Sequence, residues 1–256
     1  MHWYQALIFG IVEGLTEFLP VSSTGHLILT ARLLGLEQTD FIKTFEIAIQ
    51  LGAILAVVVM YWRSLFVDRA AALRVLVAFI PTAVIGFVLY KFIKQYLLSS
   101  EEVVLWSMLI GGILLVLFDR FHRERPGALE DIAHAPLLSA FWVGVIQALA
   151  VIPGVSRSAA TILGGLALGF HRKAIVEFSF LLAVPTIFAA TALDVIKNRE
   201  ALAASDLNML LLGGGVSFVV AILAIKLFIR FVQKHSLAWF GVYRIVAALL
   251  FWIFVK

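Results

Sequence analysis

Six apolar stretches, each close to the length of a membrane-crossing helix, constrain the fold of this chain more than any other feature. They cover residues 42–62, 72–90, 103–118, 174–194, 207–228 and 237–255. A helix needs about 20 mostly apolar residues to cross the hydrocarbon core of a bilayer. The chain is 62% hydrophobic and 14% charged, which excludes a soluble domain of this size. We therefore predict an all-α polytopic membrane protein with about six full transmembrane helices.

Two further apolar regions, residues 3–36 and 136–169, are interrupted in the middle by proline and polar residues. The first interruption lies in EGLTEFLPVSSTGH, which starts at Glu13, and the second lies in PGVSRSAA, which starts at Pro153. Proline stops a helix because it lacks an N–H group. A break at membrane depth is tolerated only where it is buried in protein or lines a wet cavity. We predict that both regions are re-entrant helical hairpins.

The two interrupted regions resemble each other in sequence. The first reads GIVEGLTEFLPVSSTGH from Gly10, and the second reads GVIQALAVIPGVSRSAA from Gly144. Ser22 aligns with Ser156, and the prolines before them align with a shift of one residue. This pattern predicts a single integral membrane domain, residues 1–256, that contains an internal duplication. Repeat one covers about 1–118 and repeat two about 136–256.

The basic residues between the predicted spans indicate the orientation of the chain. If both hairpins return to their own side, the loops that carry Arg63, Arg69, Arg120 and Arg172 collect most of the Lys and Arg. The more basic side is expected to be cytoplasmic. The first hairpin then enters from outside and the second from the cytoplasm, so the repeats are inverted about a pseudo-two-fold axis in the membrane plane. No basic cluster is interleaved with exposed aromatic residues, so we expect no nucleic-acid partner.

The second helix of each hairpin is predicted to begin near the middle of the membrane, at hydroxyl side chains suited to capping a helix. These residues are Ser22, Ser23 and Thr24 in the first hairpin, and Ser156 and Ser158 in the second. They are substrate contacts, or they are caps only. The free N–H groups and positive dipole ends at both helix starts suit an anion such as phosphate. Arg157 suits bidentate phosphate contact, or else it forms a structural ion pair with a glutamate.

Two carboxylates precede the first break. Glu13 and Glu17 are four residues apart and share a helix face. They can hold a divalent cation such as Mg²⁺ or Ca²⁺, or act as acid and base, unless they form only a polar helix face. His26 either acts at this site or bonds a backbone carbonyl, and Gln50 can extend the site. Arg244 in the last span is expected to snorkel or to pair with a glutamate.

These residues carry a family resemblance. EGLTEFLPVSSTGH and PGVSRSAAT, with KTFEIAIQLGAILAV and VYRIVAALL, make the chain similar to the undecaprenyl-diphosphate phosphatase family, also called the bacitracin-resistance family. The resemblance runs nearly from end to end. One departure is Ala159, where the family commonly has glycine, and it affects only local packing.

The resemblance implies a function. The family dephosphorylates undecaprenyl diphosphate to the monophosphate carrier of cell-wall (peptidoglycan) synthesis and confers bacitracin resistance. It implies a multi-pass protein of the bacterial cytoplasmic (inner) membrane with its site open to the periplasm. It also implies that Ser23 is the nucleophile and His26 a general acid or base, although direct attack by water stays open. The expected partners are a polyprenyl diphosphate and membrane lipid, and a homodimer is left open.

A transporter is the alternative, because inverted repeats and broken helices are typical of transporters. The same site would then pass a lipid phosphate or an anion across the membrane without breaking a bond. A non-catalytic membrane scaffold is a weaker alternative, since it leaves the buried glutamate pair unexplained.

Overall fold

The computed structural model describes residues 1–92, 100–124, 126–197 and 207–255. The described residues are mainly α-helical, with short 3₁₀ helices at Ile132–His134 and Ala148–Val151, and they contain no β-strand beyond one isolated bridge. The helices of the first half are α1 (Trp3–Thr16), α2 (Ser23–Leu33), α3 (Asp40–Met60), α4 (Trp62–Phe66), α5 (Arg69–Phe92) and α6 (Glu101–Phe121). Those of the second half are α7 (Leu137–Gln147), α8 (Arg157–Ala167), α9 (Arg172–Lys197), α10 (Leu207–Val232) and α11 (Ala238–Val255).

Five of these helices, α3, α5, α6, α9 and α10, are long and apolar enough to cross a membrane. The sixth predicted span corresponds to α11, a shorter apolar helix. Large apolar side chains such as Phe87, Phe188 and Leu211 are more than half exposed on the outer surface, as expected for side chains in contact with lipid. The prediction of an all-α polytopic membrane protein is confirmed.

Both interrupted regions form a pair of short helices with a break between them. In the first pair α1 ends at Thr16 and α2 begins at Ser23. In the second pair α7 continues into a 3₁₀ turn, Ala148–Val151, and α8 begins at Arg157. The breaks therefore lie where the prolines and hydroxyl residues predicted them.

The hairpin of each half packs against a long helix of the other half. The first helix of hairpin one, α1, packs most extensively against α10 of the second half, and α7 of hairpin two packs against α5 of the first half. The pairs α3 with α9 and α6 with α11 join equivalent helices of the two halves. This reciprocal pattern is what a two-fold relation between repeats would produce. The repeat boundaries and the inverted orientation in the membrane stay predictions.

Glycine allows the closest of these helix contacts. A Cβ atom on Gly14 of α1 would lie 2.7 Å from the carbonyl oxygen of Ser217 on α10. Small residues let helix backbones approach closely inside a membrane. The first break is thereby held deep in the protein, and Phe18 within it is fully buried against Phe180, with 5.4 Å between ring centroids.

Candidate active site

Both hairpin breaks end in a serine with a positive φ angle. Ser22 has φ 72° and Ser156 has φ 77°, and no other non-glycine residue in the described ranges has positive φ. Each serine caps the helix that follows. Ser22 Oγ accepts from the N–H of Gly25 at 3.4 Å, and Ser156 Oγ accepts from the N–H of Ala159 at 3.3 Å. Strained backbone of this kind persists where the surrounding structure holds it, often at functional sites.

A cavity of about 240 Å³ lies between the two breaks. The predicted site residues that line it are Glu17, Ser22, Ser23, Thr24, Gln50, Ser156 and Arg157. The structure therefore brings together residues from hairpin one, hairpin two and α3. Glu13, His26 and Ser158 are buried nearby but do not line this cavity. The Ser158 hydroxyl instead donates to the carbonyl oxygen of Leu19 at 2.7 Å, which ties one break to the other.

Ser23, Glu17 and Arg157 form a connected chain of polar contacts across the cavity. Ser23 Oγ donates to Glu17 Oε2 at 2.5 Å. The other carboxylate oxygen, Oε1, accepts from Nη2 of Arg157 at 3.2 Å. Both partners of this ion pair are nearly buried, with side-chain exposures of 10% and 7%. An ion pair with a glutamate, one of the two interpretations of Arg157, is therefore present, and it lies within the cavity wall.

The remaining contacts of Arg157 fix its guanidinium in place. Nη1 donates to the backbone oxygen of Ser179 at 2.7 Å and to its hydroxyl at 3.2 Å. The ring of Phe18 lies 5.8 Å from Cζ. Nε is buried and has no hydrogen-bond partner among the described residues. A buried N–H group of a cation is costly to leave unpaired, so a ligand that accepts a hydrogen bond from Nε would be stabilised.

Glu13 is fully buried, and neither carboxylate oxygen has a hydrogen-bond partner within the described ranges. The charged groups that act on it are Glu17, Glu46 and Arg157. A carboxylate in this position requires a positive partner, which a metal ion or a bound proton would supply. No group of three or more His, Asp or Glu side chains among the described residues is arranged to hold a metal. The two unpaired oxygens of Glu13 are the donors that fit a cation, since both oxygens of Glu17 are already engaged.

The ring of His26 is held from both sides. Nδ1 lies 2.8 Å from the carbonyl oxygen of Ser22, and Nε2 lies 2.6 Å from the hydroxyl oxygen of Tyr243. Because a carbonyl oxygen can only accept, Nδ1 carries a proton. The backbone hydrogen bond that was one interpretation of His26 is present. A direct role in catalysis stays a prediction.

The sequence did not single out a polar network on the far wall of the cavity. The amide of Gln147 donates to the hydroxyls of Thr82 and Thr186 at 3.1 and 3.2 Å, and its oxygen accepts from Thr161 at 3.1 Å. Gln147 is 1% exposed. In the alignment of the repeats Gln147 occupies the position of Glu13, which is a signal that could have identified it.

Comparison with known proteins gives a consistent result. Residues 6–250 match the family model for bacitracin resistance protein BacA. The undecaprenyl-diphosphatase of Aquifex aeolicus is 51% identical over 248 residues, covering 97% of this chain and 96% of the relative. That of Persephonella marina is 51% identical over 251 residues, with 98% of each chain covered. That of Thermus thermophilus is 48% identical over 254 residues, covering 98% and 97%.

Proposed function

This chain belongs to the bacitracin resistance protein BacA family, and we propose that its buried cavity hydrolyses undecaprenyl diphosphate to undecaprenyl phosphate and inorganic phosphate. Relatives that carry the name undecaprenyl-diphosphatase match nearly the whole chain at about half of all positions. The observation that carries the proposal is the contact of Ser23 with Glu17 beside Arg157, in a cavity between two helix starts.

The terminal phosphate of the substrate would enter the cavity between α2 and α8. The unpaired Nε–H of Arg157 supports an anionic ligand, because a phosphate oxygen could accept the hydrogen bond that this group lacks. Both helices start at the cavity, so their first N–H groups and positive dipole ends favour a negatively charged ligand. Donors fixed before the reaction stabilise the charge that develops on the phosphate in the transition state.

Ser23 is the proposed nucleophile. Its Oγ would form a bond to the terminal phosphorus while the bond from that phosphorus to the bridging oxygen breaks, releasing undecaprenyl phosphate. The carboxylate of Glu17, 2.5 Å from Oγ, would take the serine proton. Water would then attack the phosphorus of the phosphoserine while its bond to Oγ breaks. Oγ would regain its proton from Glu17, and the oxygen and protons of the water would leave with inorganic phosphate. Thr24 and Gln50, which line the cavity, are proposed contacts of the phosphate oxygens.

We also propose that a divalent cation, Mg²⁺ or Ca²⁺, binds at Glu13, with Glu17 as the neighbouring carboxylate. The unpaired oxygens of Glu13 support this assignment, because both cations prefer oxygen ligands. When bound, such a cation would neutralise negative charge on the substrate diphosphate.

The proposed location is the bacterial cytoplasmic membrane, with the cavity reached from the periplasmic face. The excess of basic residues in the loops assigned to the cytoplasm supports this orientation. The polyprenyl tail would lie between helices in the bilayer. The product is the carrier lipid of peptidoglycan synthesis, and its recycling would confer bacitracin resistance.

Phosphate release tests the proposal. The purified protein in detergent should release one inorganic phosphate for each undecaprenyl phosphate formed. Transport of the lipid or of phosphate by the same protein in sealed liposomes is measured to test the transporter alternative. Movement of the lipid or of phosphate across the bilayer without any phosphate release in detergent would refute hydrolysis.

A further inference from the structure

Arg244 is a fully buried cation that binds only backbone carbonyl groups in the described structure. Its side chain is 0% exposed. Nε donates to Met108 at 3.2 Å, Nη1 to Val155 at 2.9 Å and Pro20 at 3.4 Å, and Nη2 to Gly154 at 2.8 Å and Ser107 at 3.0 Å. The expectation that Arg244 snorkels or pairs with a glutamate is therefore wrong.

The carbonyl groups that Arg244 binds belong to both breaks. Pro20 lies two residues before Ser22, and Gly154 lies two residues before Ser156, so the two acceptors occupy equivalent places ahead of the two serines with positive φ. The acceptors on Ser107 and Met108 belong to α6. One guanidinium thus fixes the two breaks to each other and to a long helix.

The breaks need such a donor. Carbonyl groups that have left a helix lack their usual partners, and at this depth no bulk water replaces them. The guanidinium offers five N–H donors, whereas the ammonium of lysine offers three. Arg244 therefore satisfies a set of acceptors that no other single side chain matches.

The helices around Arg244 leave space for it. A Cβ atom on Gly111 of α6 would lie 2.9 Å from Cζ of Arg244. A Cβ atom on Gly112 would lie 2.8 Å from the carbonyl oxygen of Gly241 on α11. The small residues allow α11 to approach α6 closely enough for Arg244 to reach the breaks.

We propose that Arg244 is a positioning residue that sets the placement of Ser23 relative to Arg157. Ser23 and Arg157 are the first helical residues after Ser22 and Ser156, so holding the carbonyl groups just before them holds both groups in register. The neighbouring Tyr243 binds His26, which in turn binds the carbonyl of Ser22. Two adjacent residues of α11 thereby hold the backbone of the breaks that border the cavity.

Kinetics test this inference, and that test rests on the proposed hydrolysis. Arg244→Lys keeps the charge but loses donors, and it should lower kcat about 10²-fold because small misplacements of reacting groups are costly. KM should stay near the wild-type value, since Arg244 does not touch the cavity. Gly111→Ala, which displaces the guanidinium without changing any charge, should lower kcat in the same way. Gly215→Ala is the control, because its Cβ meets nothing within 4 Å.

Rates are compared per folded molecule, below the unfolding temperature of each variant. A merely structural role would lower the unfolding temperature and leave kcat of the folded fraction unchanged. Wild-type kcat in folded Arg244→Lys would overturn the inference. If Arg244→Lys does not fold, Gly111→Ala decides in the same way.

A distance measurement separates this inference from the proposed function. The chain has no cysteine, so a Leu15→Cys, Leu149→Cys double variant can carry one spin label on each hairpin. These two positions are 45% and 57% exposed. The wild-type protein should give one narrow distance distribution, and Arg244→Lys or Gly111→Ala a broad one. An unchanged distribution in the folded variants would overturn the inference even if the wild type released no phosphate.

Discussion

Ser23 donates a hydrogen bond of 2.5 Å to Glu17, which lies at the end of the helix before the break. The break turns the chain back on itself, so the first residue of α2 meets the C-terminal cap of α1. Glu17 also receives Arg157 from the second hairpin. The hydroxyl of Ser23, the carboxylate that accepts its proton and the guanidinium of Arg157 are thereby in contact in the absence of substrate.

Replacing Glu17 by Gln should abolish most of the activity. Glutamine keeps the size of the side chain but cannot take the proton of Ser23. General-base catalysis typically contributes about 10²–10⁴-fold, and kcat for phosphate release should fall within that range. Glu177→Gln is a matched control, because Glu177 pairs with Lys173 and does not line the cavity. Near-wild-type kcat in Glu17→Gln would remove Glu17 from the proton transfer.

Arg157→Lys should be severely impaired although the charge is kept. Lysine cannot hold Ser179 and Glu17 and also offer a donor to phosphate, because it lacks the planar fork. The expected loss in kcat is about 10²-fold or more if the contact strengthens in the transition state. Arg172→Lys is the control for an Arg-to-Lys exchange, because Arg172 pairs with Asp119 and does not line the cavity. An inserted, folded Arg157→Lys protein with wild-type turnover would contradict the phosphate contact.

Glu13 and Glu17 should behave as one unit if they share a cation. Glu13→Gln, Glu17→Gln and the double variant should then lose similar amounts of activity, because groups that act together are non-additive. Chelator should inactivate the wild type, and added Mg²⁺ or Ca²⁺ should restore phosphate release. Full activity in excess chelator would exclude the cation.

Much of this arrangement could be predicted from short-range sequence patterns. The prolines, the hydroxyl residues after them and the repeated motif locate both breaks, and the four-residue spacing places Glu13 and Glu17 together. These features can be predicted from sequence because the residues that stop a helix, cap it or share one of its faces lie within one or two turns of each other.

The contacts between distant elements could not be predicted in the same way. Arg244 binds Pro20 across 224 positions, and Tyr243 binds His26 across 217. Such contacts depend on how helices pack, and a bond from a side chain to a backbone carbonyl requires no particular residue at the acceptor. The Gln147 network is similar, since its hydroxyl partners Thr82 and Thr186 come from two other helices.

Labelling of single cysteines tests the predicted orientation. A cysteine at Gln38, in the loop after hairpin one, should react with an impermeant thiol reagent added to intact cells. Cysteines at Ala70 and Ala128 should react only after the membrane is broken. Since the chain has no cysteine of its own, the cysteine-free wild type is the background control. The opposite labelling pattern would invert the topology and contradict a cavity reached from the periplasm.

The stereochemical outcome at phosphorus is the most direct test of catalysis by Ser23. A substrate whose terminal phosphate is replaced by an isotopically chiral thiophosphate would be hydrolysed by the wild-type protein, and the configuration of the released thiophosphate determined. Attack by Ser23 followed by attack of water comprises two in-line displacements, so our account predicts retention of configuration. Inversion would mean that water attacks the substrate directly, and it would contradict the phosphoserine intermediate.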